Sequence, residues 1–251
     1  NKKSIRFALS AIKGVGLISM KNLVNERNSS GKFKDIIDFL SRLDGDVINK
    51  RQLEKLIQAG AFDSISENRN KLFENVVNFV KIYGGNKNQL DEQSSLFQIN
   101  NISFDDKTLF KQKINEWHSN LLLKNELDVI GFYFSNHPLS YYPDNFFLEN
   151  KIIDYNEILY NKDLSNVRLA GSILDIKERS NKDGRKYAFL TVSNINSQFE
   201  VSIFSENLSK YKNLLKEGNV VLFDADVTRD NENIRIIIRK VTELDIFFKN
   251  Q

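Results

Sequence analysis

The chain has 251 residues, 41% hydrophobic and 27% charged, enough for two modest domains with buried cores. It has no Cys, only two His, and no apolar run near the ~20 residues of a membrane span, which excludes disulfides, thiolate metal sites, a cysteine nucleophile and a membrane helix. The net charge of +3 hides a segregation: residues 1–90 carry 16 Lys/Arg against 9 Asp/Glu, residues 91–165 carry 6 against 12, and residues 166–251 carry 14 against 12.

A basic block faces phosphate readily, because the release of condensed counterions drives that association. The first such block reads as helices joined by short turns. Ala11-Ile12-Lys13-Gly14-Val15-Gly16 follows a short apolar segment and precedes a helical pattern that starts at Leu17. Gly14 and Gly16 permit positive φ and close backbone approach, and Val15 can plug the turn into a core. Amides after Gly14 would then be exposed at a helix N-terminus, where an anion is favoured. This is the helix-hairpin-helix arrangement, which holds nucleic-acid phosphate without reading bases; a plain structural turn is the alternative that the spacing alone leaves open. The expected DNA-binding set is Lys13, Gly14, Val15, Gly16 and Lys21. Downstream, apolar residues at 33, 36, 37, 39 and 40 predict a helix. Asn49 is placed to cap a helix carrying Leu53, Leu56 and Ile57 that ends near Ala59-Gly60. Asn68 is placed to cap another, with Leu72, Phe73, Val76, Val77 and Val80 inward, stopped by Gly84-Gly85.

Residues 86–106 are polar and lack periodicity, which predicts a linker. Within it, Gln93-Ser94-Ser95-Leu96-Phe97 offers two apolar side chains that could each contribute ~1.5–3 kcal/mol if buried in a partner's pocket. From Lys107 to about Asn125 the spacing of Leu109, Phe110, Ile114, Trp117 and Leu121 predicts a helix with one buried face, Trp117 in the core. His137, next to Pro138, lacks a Ser–carboxylate arrangement discernible in the sequence and reads as a capping or turn residue.

After Asn166 the period changes to two. Val167–Ile176, Lys186–Val192, Phe199–Phe204, Val220–Val227 and Ile234–Val241 are five predicted strands, with an Asp183-Gly184 turn after the first and a helix over Leu208–Leu215 between the third and fourth. That order is an OB-fold, a small five-stranded Greek-key barrel. Parity sends Ala188, Leu190 and Val192 inward and leaves Tyr187 and Phe189 outside, beside a hairpin rich in Lys177, Arg179, Lys182, Arg185 and Lys186. Arg235 and Arg239 share a side of the last strand. Aromatic faces for bases and cations for phosphates are what a single strand requires, so Lys177, Arg179, Lys182, Lys186, Tyr187, Phe189, Arg235 and Arg239 form the expected ssDNA-binding set. A structural barrel that packs against other parts is the alternative. Asp224 and Asp226 have the spacing of a carboxylate pair but lack a third carboxylate nearby in sequence, and read as solvated surface residues.

Several longer strings match one family in order: Ala11–Gly16, Asn49–Ser64, Gln93–Phe97, and Glu126–Leu139 with its Gly131-Phe132-Tyr133-Phe134-Ser135-Asn136-His137-Pro138-Leu139. Together they resemble the C-terminal part of the bacterial DNA polymerase III alpha subunit, the C-family replicative polymerase. Phe134 and Asn136 stand where Leu and Gly are common. The resemblance implies an α+β, multidomain chain: a helix-hairpin-helix domain over 1–85, a linker with a clamp-binding motif over 86–106, a helical bridge over 107–165 and an OB-fold over 166–248. Gln93, Leu96 and Phe97 would dock on the sliding clamp. Further implied partners are duplex and single-stranded DNA and other replicase subunits, in the cytoplasm, with no membrane. The parent would be a DNA-directed DNA polymerase using Mg2+ in a catalytic domain upstream; this chain would hold no cofactor and no catalytic residue, and be inactive alone. A start at Asn1 without Met fits that position. The alternative is a free-standing nucleic-acid-binding adaptor for repair or recombination built from the same modules.

Overall fold

The computed structural model describes residues 7–43, 47–83, 113–230 and 233–251. It divides into two compact units, one ending at Gly131 and the other beginning at Phe132. Of the described residues in the expected bridge, 113–131 fall in the first unit and 132–165 in the second.

The first unit is helical. A 3-10 turn (Leu9–Ala11) leads into α1 (Leu17–Ser30), α2 (Ile36–Arg42), α3 (Lys50–Gln58), α4 (Arg69–Glu74), α5 (Val76–Tyr83) and α6 (Ser119–Ile130). Asn49 caps α3 in a reciprocal capping box with Gln52, and the Asn68 side chain accepts from the Lys71 amide to start α4, as the sequence predicts. Leu53, Leu56 and Ile57 are at most 1% exposed and pack with Ile12, Met20, Phe39, Phe62 and Phe79. Arg42 joins α1 to α2: its guanidinium lies 3.1 Å from Glu26, 3.3 Å from Asp38 and donates to the Gly31 carbonyl at 3.0 Å.

Arg69 does the same deeper in this unit. Its guanidinium is buried, 2.5 Å from Asp63 on the turn after α3 and 2.8 Å from the fully buried Glu126 of α6. Gly60 makes room for it, since a Cβ there would lie 2.3 Å from the guanidinium, and its φ of +74° also favours glycine.

Two helices differ from the periodicity. The helix predicted after Asn68 is interrupted at Asn75, which is buried and donates its side-chain amide to the Lys71 carbonyl at 2.8 Å. The interruption turns Val77 outward, 44% exposed, and puts Phe79 in the core. The described part of the helix predicted over 107–125 is not helical from 113 to 118 and becomes helical only at Ser119. Tertiary bonds win there. The Glu116 carboxylate accepts from the amides of Arg69 and Asn70 at 2.6 and 3.0 Å, capping α4, while Asn68 and Asn70 donate to the carbonyls of Ile114 and Asn115, both at 2.8 Å. Trp117 lies edge-on to Phe73, partly buried, and Leu121 is exposed.

The second unit begins with a loop that leads to a 3-10 turn (Pro138–Tyr141), then α7 (Asp144–Glu149) and α8 (Tyr155–Tyr160). The barrel follows: β1 (Asn166–Ser180), β2 (Lys186–Ser193), β3 (Gln198–Phe204), α9 (Ser205–Tyr211), β4 (Val220–Asp230), β5 (Asn233–Glu243), with α10 (Leu244–Lys249) after it. The sheet closes on itself in the order β1-β2-β3-β5-β4. The helix between the third and fourth strands spans Ser205–Tyr211 and not Leu208–Leu215, although Leu208 and Leu215 are both buried. Alternation builds the interior: Ala188, Leu190, Val192, Ile203, Val221, Phe223 and Ala225 are each 0% exposed. Gly171 lets β1 approach β2, since a Cβ there would sit 2.3 Å from the Val192 side chain.

Candidate nucleic-acid interfaces

The hairpin is built from its backbone outward. Gly14 has a φ of +83° and turns the chain; the Val15 amide donates to the Ile12 carbonyl at 3.1 Å, and Val15 and Ile12 are both buried. The Lys13 amide donates to the Val129 carbonyl at 2.9 Å, tying the turn to the end of α6. Gly16 is the N-cap of α1 in extended geometry, φ −75°, so positive φ is not its role; a Cβ there would sit 3.2 Å from the Gln52 amide nitrogen. The first α-helical bond in α1 runs from the Met20 amide to the Gly16 carbonyl, so the amides of Leu17, Ile18 and Ser19 precede the ladder. Lys13 and Lys21 are exposed around them.

Sequence reasoning missed a contribution from α3. A Cβ on Gly14 would lie 3.7 Å from both the Arg51 Nε and the Lys55 Cγ, so two cationic side chains one helical turn apart cover the hairpin. The signal was available: 51 and 55 are at i, i+4 spacing, opposite the buried Leu53, Leu56 and Ile57.

On the barrel, strand register decides which side chains meet. Residues directly paired across strands project to the same face. Arg179 pairs with Tyr187 and Tyr187 with Phe204; Lys177 pairs with Phe189 and Phe189 with Ser202; Asp175 pairs with Thr191 and Thr191 with Glu200. Ser202 in turn pairs with Ile237 on β5, whose neighbours on that face are Arg235 and Arg239. Across β1, β2 and β3 the outer face is thus three rows, graded from cationic and aromatic next to the β1–β2 hairpin to acidic two rows away, where Arg235 on β5 lies level with Glu200. The Tyr187 and Phe189 rings meet edge-on, 5.6 Å apart, and Phe204, 51% exposed, tilts towards Tyr187 at 6.2 Å. Phe204 was not singled out from the sequence, though the parity that buries Val201 and Ile203 places it outside.

Two of the expected cations have carboxylate neighbours: Lys177 lies 3.2 Å from Asp175, and Arg239 3.1 Å from Asp226. Arg179, Lys182, Lys186 and Arg235 are exposed. The Asp224–Asp226 pair is ion-paired on the surface rather than simply solvated, Asp224 holding Arg168 at 2.8 Å. Among the described residues no group of three or more His, Asp or Glu is arranged to hold a metal ion. Gln93, Leu96 and Phe97 lie outside the described residues.

His137 is a cap. Its Nδ1 accepts from the Leu139 amide at 3.1 Å, starting the 3-10 turn, and its Nε2 lies 3.1 Å from the Ser193 Oγ. With Nδ1 accepting, the ring proton sits on Nε2 and points at the serine, the wrong tautomer for a base that would activate it. Burial pushes the imidazole pKa down to about 4.

Residues 1–72 match a family model described as helix-hairpin-helix motif, and residues 167–244 one described as OB-fold nucleic acid binding domain. The chain is similar to the DNA polymerase III subunit alpha of Borreliella burgdorferi, 30% identical over 96% of this chain and 21% of the relative. With that of Campylobacter jejuni it shares 34% identity over 87% of this chain and 18% of the relative, and with that of Rickettsia bellii 33% over 99% and 21%. The chain spans about a fifth of the length of these curated relatives. A mitochondrial single-stranded DNA binding protein of S. cerevisiae, Rim1, matches 32% of this chain at 14% identity and a TM-score of 0.28, a distant likeness that says nothing of ligand. No described helix is long and apolar enough to cross a membrane. Over nearly its whole length, then, the chain is homologous to a helix-hairpin-helix and OB-fold region that makes up about a fifth of DNA polymerase III alpha subunits.

Proposed function

We propose that this chain is the C-terminal DNA- and clamp-tethering region of a replicative DNA polymerase III alpha subunit in the bacterial cytoplasm, and that it supports processive synthesis without doing chemistry itself. In this reading the hairpin grips duplex phosphate through the amides after Gly14, with Lys13, Gly16 and Lys21 around them and Val15 holding the turn. The outer face of the barrel takes single-stranded DNA, Tyr187 and Phe189 stacking bases while Lys177, Arg179, Lys182, Lys186, Arg235 and Arg239 face phosphates. Gln93, Leu96 and Phe97 engage the sliding clamp, and other replicase subunits complete the assembly. Mg2+ would serve the catalytic domain of the parent polymerase; the described residues of this chain do not offer it a ligand set.

The observation that carries the DNA reading is the cross-strand row Arg179–Tyr187–Phe204: a cation and two rings on one face of a barrel, beside an exposed basic hairpin. Removing the two β2 rings, Tyr187 and its edge-on neighbour Phe189, should cost binding without opening the barrel, since neither side chain belongs to the core. Tyr187→Ala with Phe189→Ala should weaken ssDNA affinity by at least tenfold, given ~1–3 kcal/mol per stacked base. The check is fluorescence anisotropy with an oligothymidylate at several salt concentrations; an unchanged isotherm would assign the barrel a structural role.

A further inference from the structure

The second unit carries a concavity that the nucleic-acid reading does not use. It encloses about 290 Å³ between the 3-10 turn, α7, α8 and the β2–β3 turn. Leu139, Ile152 and Ala170 form its floor, each at most 7% exposed and part of the small core beneath α7. Its rim is apolar too: Leu148 is 78% exposed and Ile195 52%, large side chains that gain nothing from water.

The charged residues that line this groove are all acidic: Asp144, Asp154 and Glu157, with no Lys, Arg or His among the lining. The orientation of Asp154 and Glu157 is built in. One Asp154 carboxylate oxygen accepts from the side-chain amides of Asn194 and Asn196 at 3.1 and 2.9 Å, and the other from the Asn156 amide at 2.8 Å. Glu157 accepts from the Asp154 amide at 3.0 Å. These neutral donors fix the carboxylates without cancelling their charge. The resulting field repels a polynucleotide and attracts a cation.

We infer that this groove is a protein-docking site for a peptide segment that presents one or two apolar anchor side chains flanked by Lys or Arg. The anchor enters between Leu148 and Ile195 onto the Leu139–Ile152–Ala170 floor, and the flanking cations reach Asp144, Asp154 and Glu157. The acidic rim separates this partner from the DNA that the hairpin and the barrel face are proposed to hold, and the inference stands whether or not those sites bind DNA.

The test uses the full chain, isotopically labelled, titrated with a short synthetic amphipathic helix of Leu and Lys, and with the matching Leu/Glu peptide. The Leu/Lys peptide should shift the amide resonances of Leu148 and Asn194–Asn196 to saturation, and the Leu/Glu peptide should leave them unmoved. Asp144 and Leu148 are exposed and one turn apart on α7, so Asp144→Lys with Leu148→Lys keeps the fold, which the spectrum itself verifies. That variant should lose roughly tenfold or more in affinity, from the reversal of one rim carboxylate and the replacement of one apolar contact by a cation. Shifts centred elsewhere, equal binding of the Leu/Glu peptide, or an unaffected variant would overturn the inference. Concentration-dependent shifts at the same residues without peptide would overturn it in favour of a second copy of this chain.

Discussion

His137 spends both ring nitrogens on the fold, one on the Leu139 amide and one on Ser193, 56 residues later in the chain. Its neutral form is therefore the one the native state holds. Because its folded pKa lies near 4, below the ordinary 6.5, the unfolded chain binds a proton more readily between those values. Stability contributed by the neutral ring is fully present above about pH 6.5 and is lost as pH falls towards 4. Denaturant unfolding at pH 7 and pH 4.5 should show a loss of ~2–3 kcal/mol in the parent chain beyond that seen in His137→Asn, which has nothing to titrate there. Equal losses in the two proteins would mean that the ring is not held neutral. The capping role was legible beside Pro138, since a polar side chain before a proline-led turn is a natural cap. The serine was not, because only the closing of the barrel brings it near.

At the scale of elements, parity carried more information than periodicity. A strand's alternation is fixed by its backbone, so inward Ala188, Leu190 and Val192 followed from the sequence directly. The cross-strand rows did not, because they depend on register, which a bulge in β1 between Ile173 and Asp175 resets. Helical periodicity failed where side chains outbid the local ladder: bonds through Glu116 and the two asparagines Asn68 and Asn70 hold the chain around 114–116 out of the helix. Register also yields a prediction. Glu200 lies on the same outer face as Phe189 and Tyr187, in the row farthest from the hairpin, with Asp175 two strands over and Arg235 on β5. If DNA crosses this face, Glu200 opposes it. Glu200→Gln should raise ssDNA affinity about two- to fivefold at low salt, with the gain fading as salt rises. Anisotropy titrations that show no gain, or a loss, would place the polynucleotide away from β3.

For the whole molecule, the charge blocks counted along the chain now have owners. The excess of cations falls on the helical unit with its hairpin, and the acidic block contributes Asp144, Asp154 and Glu157 to a groove of the second unit. In the proposed function each attachment is modest by itself, and covalent linkage turns the second and third binding events into intramolecular ones at high effective concentration. Severing one attachment should then lengthen no reach and break no fold, but shorten residence. Leu96→Ala with Phe97→Ala should abolish clamp binding in calorimetric titration while the affinity of the isolated chain for DNA stays unchanged. Undiminished clamp binding would show that the Gln93–Phe97 string is not the contact.

The strands β1-β2-β3-β5-β4 close into a ring. An open sheet ends in rows of bare amides and carbonyls onto which a foreign strand can template itself, and a closed ring has no such margin. Along four of the five junctions the strands spend their amides and carbonyls on each other, and the fifth, between β3 and β5, closes through the Ser202–Ile237 pair, so a foreign strand has little margin to extend. Recognition is left to side chains, which can be exchanged one at a time without disturbing the backbone that carries them.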